Sequence, residues 1–272
     1  MRGLAALAVG RTPPSAACAG VAVEPLKPDC AGDPIGCLLR KLRVRDEVSA
    51  REEEVLRSAI EHFETFRAGK TIIRTGALLN RSMLLIEGLV ARYKDLSDGQ
   101  RQIMEIHVPG DFTDLHGFPL KMLDHDIGSI SEVTAGFVPH ERLQRITEEE
   151  PHLTRLLWMS TLMDAAIQRE RILSVGRRPA MGRIAHLMCE LHVRFDAVGM
   201  TEGMTFPFPF TQMDLGDSTG LTSVHVNRML RELREQGLLT FRGGRVTIHD
   251  WERLQAAAEF DPVYLHLDRR PR

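Results

Sequence analysis

The chain is poor in the residues that announce most chemistries. Only four of its 272 residues are cysteine, at 18, 30, 37 and 189, and no two form a CxxC pair. That spacing argues against a disulfide framework and suits a reducing interior. Apolar residues make up 43% of the chain, enough for one or two cored domains. Yet no run approaches the roughly 20 apolar residues needed to span a bilayer, so no membrane partner is expected. There is no Ser-His-Asp order, no glycine-rich phosphate loop, no HExxH and no carboxylate pair on a catalytic strand, so an enzyme is not expected. His107, His116 and His125, with Asp114 and Asp126, are donor types that suit divalent ions, but their spacing is not ligand-like. Neither a metal nor another cofactor is expected. The opening MRGLAALAVGRTPPSAACAG holds an apolar run at the lower end for a signal peptide. With Pro13, Pro14, Pro25, Pro28 and Pro34 nearby, residues 1–33 read as a disordered extension of a cytoplasmic protein. Net charge is −2, so any affinity for a polyanion must come from where charge is placed.

What is present is concentrated between Phe210 and Asp250, FTQMDLGDSTGLTSVHVNRMLRELREQGLLTFRGGRVTIHD. Thr211 can cap a first helix, with Asp214 three residues on completing a capping-box-like pattern. Met213, Leu215 and Thr219 would point inward, and Gly220 would end the helix in a left-handed conformation. Leu221 packs in the turn and Thr222 caps a second helix, whose Val226, Met229, Leu230 and Leu233 recur at helical spacing. Off that stripe, in the first turns, stand Ser223, Val224, His225, Asn227 and Arg228. The opening turns of the second helix of a helix-turn-helix enter the major groove. There Arg228 has the fork to bond guanine bidentately, and Asn227 has the amide to do the same for adenine. Leu238–Phe241 and Val246–His249 read as strands joined at Gly243-Gly244. Arg242 and Arg245 flank that turn, as suits a wing on phosphate. From Ser174 to His249 nine arginines face seven acids, so double-stranded DNA is the expected partner and binding should weaken with salt.

These residues resemble the winged helix-turn-helix of the cyclic-AMP-receptor/fumarate-nitrate-reduction (Crp/Fnr) transcription regulators. The resemblance is carried by Thr211, Gly216, Gly220, Thr222, Val226, Arg228, Leu230, the Gly-Leu-Leu at 237–239 and the Gly-Gly turn. It implies that Ser223, Val224, Asn227 and Arg228 read bases. Well-known members carry a glutamate where this chain has Val224. Valine cannot accept from cytosine but can pack on a thymine methyl, so a different operator is expected.

Upstream, residues 36–61 look helical, with Leu38, Leu39 and Leu42 as one patch and a Ser49/Glu52 capping box. Val55, Leu56, Ala59, Ile60 and Phe63 would form its buried stripe. From Glu64 the period becomes two. Strands at Thr71–Arg74, Met83–Glu87, Leu89–Lys94, Gln102–Val108, Ile127–Ala135 and Phe137–Pro139, with glycine turns between, argue for a β-roll or jelly roll. This half is similar to the family's cyclic-nucleotide-binding-like sensor, through Gly69, Ile86-Glu87-Gly88, Asp98-Gly99 and Pro109-Gly110-Asp111-Phe112. Nucleotide-binding members continue with a phosphate-holding arginine. Here Thr113–Phe118 and KMLDHDIGSI contain none, and Asp114, Asp124 and Asp126 would repel a phosphate. Cyclic-AMP dependence is therefore not expected, and the effector is unknown. Iron–sulfur members of the family group three cysteines closely near the N-terminus. Cys18, Cys30 and Cys37 are wider apart, and Cys189 lies beyond the roll, so no cluster is implied.

Pro151 opens a long helix on which Leu156, Met159, Met163, Ala166 and Leu173 recur at three-four spacing, widened by Leu153, Leu162 and Ile167. Arg155, Asp164, Gln168 and Arg171 are left outside. One flank would cover the roll and the other pair with its twin. Gly176-Arg177-Arg178-Pro179 reads as the hinge, with Arg177, Arg178 and Arg183 either on phosphate or solvated. The whole is an α+β chain: extension 1–33, sensor roll 34–150, dimerisation helix 151–176, winged helix-turn-helix 177–258 and a tail 259–272 without an assigned role. The expected function is a homodimeric transcription regulator on a pseudo-palindrome, with RNA polymerase as a further candidate partner. The competing expectation is an effector-independent, nucleoid-type DNA binder with a vestigial barrel.

Overall fold

The computed structural model describes residues 32–270. The expected disordered extension, with Cys18 and Cys30, lies outside them except for Gly32 and Asp33, and Asp33 is paired with Arg57 at 2.5 Å. Within the stretch expected to be helical two helices form, α1 (Gly36–Arg43) and α2 (Ala50–Ala59), the second opening at the expected Ser49 cap. The second starts afresh because the Ser49 hydroxyl accepts from the Glu52 amide while the Glu52 carboxylate accepts from the Ser49 amide. That exchange satisfies two otherwise orphaned donors. Phe63 leaves the buried stripe assigned to it: the helix has ended, and the ring stands exposed on β1 (His62–Phe66). Cys37 is disulfide-bonded, against expectation, since spacing along the chain does not report which thiols meet in space. Cys189 is free and buried.

The roll has two antiparallel sheets. One is ordered β1-β7-β3, with β3 Arg81–Glu87 and β7 Val133–Pro139. The other is ordered β2-β6-β4-β5: β2 Thr71–Ile73, β6 Asp126–Ser129, β4 Val90–Asp95 and β5 Arg101–His107. The stretch expected as one strand over 127–135 is thus split between the sheets. A short helix, α3 (Gly117–Leu120), lies between β5 and β6 in the chain. Met83, Leu85, Val90, Ile127, Val133 and Phe137 fill the space between the sheets. Each such side chain contributes about 1.5–3 kcal/mol relative to exposure.

After α4 (His140–Glu149) comes the long helix α5 (Pro151–Arg177). Its opening turns bury Leu153, Leu156 and Leu157 with Leu38, Leu42 and Leu56 of α1 and α2. Its phase corrects the sequence reading. Leu156, Met163 and Ala166, expected on the partner-facing seam, are buried within the protomer; Met159 is half-buried and Leu173 is exposed. Conversely, Asp164, Gln168 and Arg171 turn inward to meet polar partners on the roll and on α6. Apolar residues occur nearly all the way round this helix, so the inside face was set by where the polar partners stood.

The head comprises α6 (Ala180–Ala197), β8 (Thr205–Pro207), α7 (Gln212–Thr219), α8 (Ser223–Glu235), β9 (Leu239–Arg242), β10 (Arg245–Ile248) and α9 (Trp251–Ala258). Its sheet is ordered β8-β10-β9, so part of the expected extended lead-in is a third strand. Phe206, Phe208 and Phe210 are all buried, with Phe208 stacked on Phe210 at 4.3 Å. Head and roll share one apolar cluster, from Tyr93, Ile103 and Ile106 through Ile167 to Leu191, Leu215 and Val226. Ions seal the same junction. Arg194 on α6 reaches Asp111 of the roll at 2.9 Å and Glu190 at 3.3 Å, and Arg171 of α5 meets Glu190 at 3.2 Å. The tail, given no role from sequence, closes the arrangement. The Tyr264 hydroxyl donates to Glu190 at 2.9 Å, Leu265 is buried, and its carbonyl accepts from Arg45 at 2.9 Å.

Candidate nucleic-acid interface

Local chemistry fixes the recognition helix before any DNA is considered. On α7 the Thr211 hydroxyl accepts from the Asp214 amide at 3.1 Å, and the Asp214 carboxylate accepts from the Thr211 amide at 2.9 Å. Gly216 is required by proximity, because a Cβ there would lie 2.5 Å from the Leu221 carbonyl oxygen. The two helices can therefore cross closely. Thr222 caps α8 by accepting from the His225 amide at 3.3 Å. Val226 and Leu233 are fully buried beneath, Met229 is buried, and Leu230 is half-buried. Met213, expected inward, is 43% exposed; at the second position of α7 it faces away from the core that Leu215 enters.

The opposite face of α8 is open. Ser223, Val224, Asn227 and Arg228 are exposed, Val224 at 83%. An isolated, fully solvated valine on a rigid helix contributes nothing to packing, and with a polar amide and a guanidinium one turn on it forms a surface of mixed donors and methyls. That is the surface a major groove can read. His225 is half-buried, nearer the flank of the face than its centre. Thr211 and Thr222 lend their side-chain oxygens to the caps. The wing turn needs positive φ at two successive residues, and Gly243 and Gly244 adopt +59° and +70°, as a two-residue hairpin demands. Arg242 is exposed at its tip, whereas Arg245 is half-buried and bonds Glu202 at 2.9 Å.

Two arginines weighed as phosphate contacts are occupied inside the protein. Arg178 is buried against Glu170 at 3.1 Å. Arg183 donates to the carbonyls of Arg178 and Thr219 at 2.9 and 3.2 Å. They brace the hinge against α7; only Arg177 stands exposed. Sequence reading also passed over Gln212, exposed at the first position of α7, whose Oε1 accepts from Asn227 Nδ2 at 3.2 Å. Its place directly after a cap residue was the available signal.

In the sensor half, an arginine absent from the expected phosphate segment arrives from another strand. Arg92 of β4 is buried in the roll. It donates to Glu105 at 2.7 Å, to Asp164 of α5 at 2.8 Å and to the Thr113 carbonyl at 2.7 Å. Two carboxylates thus already answer its charge. Burial pushes the Asp114 carboxyl up to about 7, against the Met83 amide that donates to it at 2.6 Å. Burial likewise holds the His107 imidazole far below its usual value, with Arg92 and Arg194 acting in the same sense. Asp124 pairs with Lys94 and His125, and Asp126 accepts from the Thr75 amide. No group of three metal-donor side chains converges among the described residues, and none of their helices is long and apolar enough to cross a membrane.

Residues 63–150 match the cyclic nucleotide-binding domain family, and residues 182–257 match the Crp-like helix-turn-helix domain family. The transcriptional activator protein FnrL of Cereibacter sphaeroides is 26% identical over 214 residues, 77% of this chain and 86% of its own. The nitrogen fixation regulation protein FixK of Bradyrhizobium diazoefficiens is 27% identical over 194 residues, 71% of this chain and 80% of its own. Among solved structures, FixK2 from Bradyrhizobium japonicum superposes with a TM-score of 0.64 at 25% identity, covering 72% of this chain and 96% of that one.

Proposed function

We propose that this chain, which belongs to the Crp/Fnr family of transcription regulators, acts as a homodimer that reads a pseudo-palindromic operator through α8. The observation that carries DNA reading is the solvated face of Ser223, Val224, Asn227 and Arg228 on a helix capped at Thr222 and braced from below. Relatives named as a transcriptional activator, FnrL, and as a nitrogen fixation regulation protein, FixK, support regulation over mere DNA packaging.

The dimer seam lies on the face of α5 that the protomer leaves open. Trp158, Leu162, Ala165, Arg169 and Ile172 are exposed, with Trp158 at 64% and Ile172 at 73%. Their steps of four, three, four and three are the coiled-coil spacing. This replaces the seam at Leu156, Met163 and Ala166, which are buried within the protomer. Two heads fixed by that seam would address half-sites about one helical turn apart. Cyclic AMP is not the effector in this reading, because Arg92 is already bonded to Glu105 and Asp164.

Selection of bound duplexes from fragmented genomic DNA, with and without cell extract, tests the reading. A two-fold symmetric motif is expected, with Val224 facing a thymine. A purified protein with no preference among duplexes at moderate salt would sink it. Leu162→Glu should weaken self-association at least tenfold, since an unpaired carboxylate is costly in an apolar seam; sedimentation reads that directly.

A further inference from the structure

We propose that Gln212 sets which base Asn227 reads, acting through the Asn227 side chain rather than on DNA. This rests on the reading of α8 as the recognition helix. Asn227 is exposed on the reading face, and Gln212 is the side chain hydrogen-bonded to it among the described residues, at 3.2 Å from Nδ2 to Oε1. Gln212 itself is held by rigid backbone: it is the first helical residue, enclosed by the Thr211–Asp214 capping box. Gly216 lets the middle of α7 approach the turn at Leu221 closely, and the Gln212–Asn227 bond joins the start of α7 to the second turn of α8.

A free asparagine amide can rotate and present either end to a base. An amide that donates one N–H to Gln212 has a defined outward face: the carbonyl oxygen and the second N–H. Adenine offers an amino donor and the N7 acceptor on its major-groove edge, which that face matches bidentately. Guanine offers two acceptors, O6 and N7, which would require the amino group to be turned outward alone. The Gln212 bond therefore selects adenine over guanine at the Asn227 position. In the observed geometry Gln212 accepts through Oε1, and substitution can hold that direction or reverse it. A carboxylate only accepts, which keeps Asn227 donating. An ammonium only donates, which makes the Asn227 oxygen accept and turns its amino group outward.

The test is selection from a duplex library with randomised positions, using the full-length protein, Asn227→Ala, Gln212→Ala, the double variant carrying both, Gln212→Glu and Gln212→Lys. Asn227→Ala identifies the base position that residue reads. At that position Gln212→Ala should lose on the order of tenfold discrimination, and the double variant should discriminate no worse than Asn227→Ala. Gln212→Glu should bind all duplexes more weakly, since it adds negative charge near phosphate, yet keep the adenine preference. Gln212→Lys should bind more tightly and move the preference toward guanine. Unchanged discrimination in Gln212→Ala, whether or not its binding drops uniformly across sequences, a guanine preference in Gln212→Glu, an unmoved preference in Gln212→Lys, or additive loss in the double variant would overturn the proposal. A uniform drop in Gln212→Ala would make Gln212 a phosphate contact. If the unmodified protein selects no motif, the recognition-helix reading fails and this inference falls with it. If it selects a motif that Gln212 variants leave untouched, only this inference fails.

Discussion

At the tip of α8, Arg228 and Asn227 stand in water, with one side-chain hydrogen bond between the reading face and the rest of the head. Some residues upstream, Arg194 and Arg171 are equally charged and fully committed: both are buried, both meet Glu190, and Arg194 also meets Asp111. The same residue type serves two purposes, and water decides which. An arginine left solvated keeps its donors for a ligand and adds little to stability. An arginine taken out of water must be fully paired, and its partners then depend on it. The reading face can therefore drift toward a new operator at small cost to the fold. The junction cannot change one member at a time.

The sharpest break in that contrast is Arg194→Ala. It would leave Asp111 with Lys41 and the Val108 amide, and Glu190 with Arg171 and Tyr264, so unfolding by denaturant should show a loss of about 3–5 kcal/mol. Next is Tyr264→Phe, which removes one hydrogen bond to the buried Glu190 carboxylate. A loss of about 1.5–3 kcal/mol is expected, with faster proteolysis of the tail as a second readout; an unchanged midpoint would mean the tail does not brace the head. Arg228→Ala should do the reverse. Discrimination at one base should fall by about 1–3 kcal/mol, while the unfolding midpoint moves by less than about 0.5 kcal/mol. If instead the protein is destabilised, the two regions are not energetically separate.

The smallest effect concerns His152, at the start of α5. It bonds Glu52 at 2.5 Å and Asp46 at 3.3 Å, and these bonds raise its pKa despite partial burial. Its folded value lies above the free imidazole value of about 6.5. The stabilisation from the charged form is thus complete below that value and is lost as pH rises through the raised one. His152→Gln should flatten this part of the stability-versus-pH curve, and an unaltered curve would rule out the pair as a contributor.

The head was legible because its determinants are local. Thr211 and Asp214, Thr222, Gly216 and the Gly243-Gly244 turn each act within a few residues, and short-range geometry admits few alternatives. The roll was legible in outline for the same reason, through strand alternation and glycine turns. The long helix was not. Asp164, Gln168 and Arg171 look like a solvent face in a periodicity count, yet each turns inward because Arg92, Glu105 and Glu190, distant in sequence, wait there. Arg92 was missed on similar grounds, since a charged residue on a strand reads as outward-facing until its two carboxylates are seen.

The sequence by itself determined the order of parts, the capped helix pair, the wing and the residues left open on α8, because caps, turns and stripes are written at spacings of two to four residues. Only the tertiary structure decided which side of α5 is left open, which arginines are spent holding head to roll, and that the tail straps them together. Those outcomes depend on charges tens to hundreds of residues apart meeting out of water, where each must find its counter-ion and no local pattern records which one it will be.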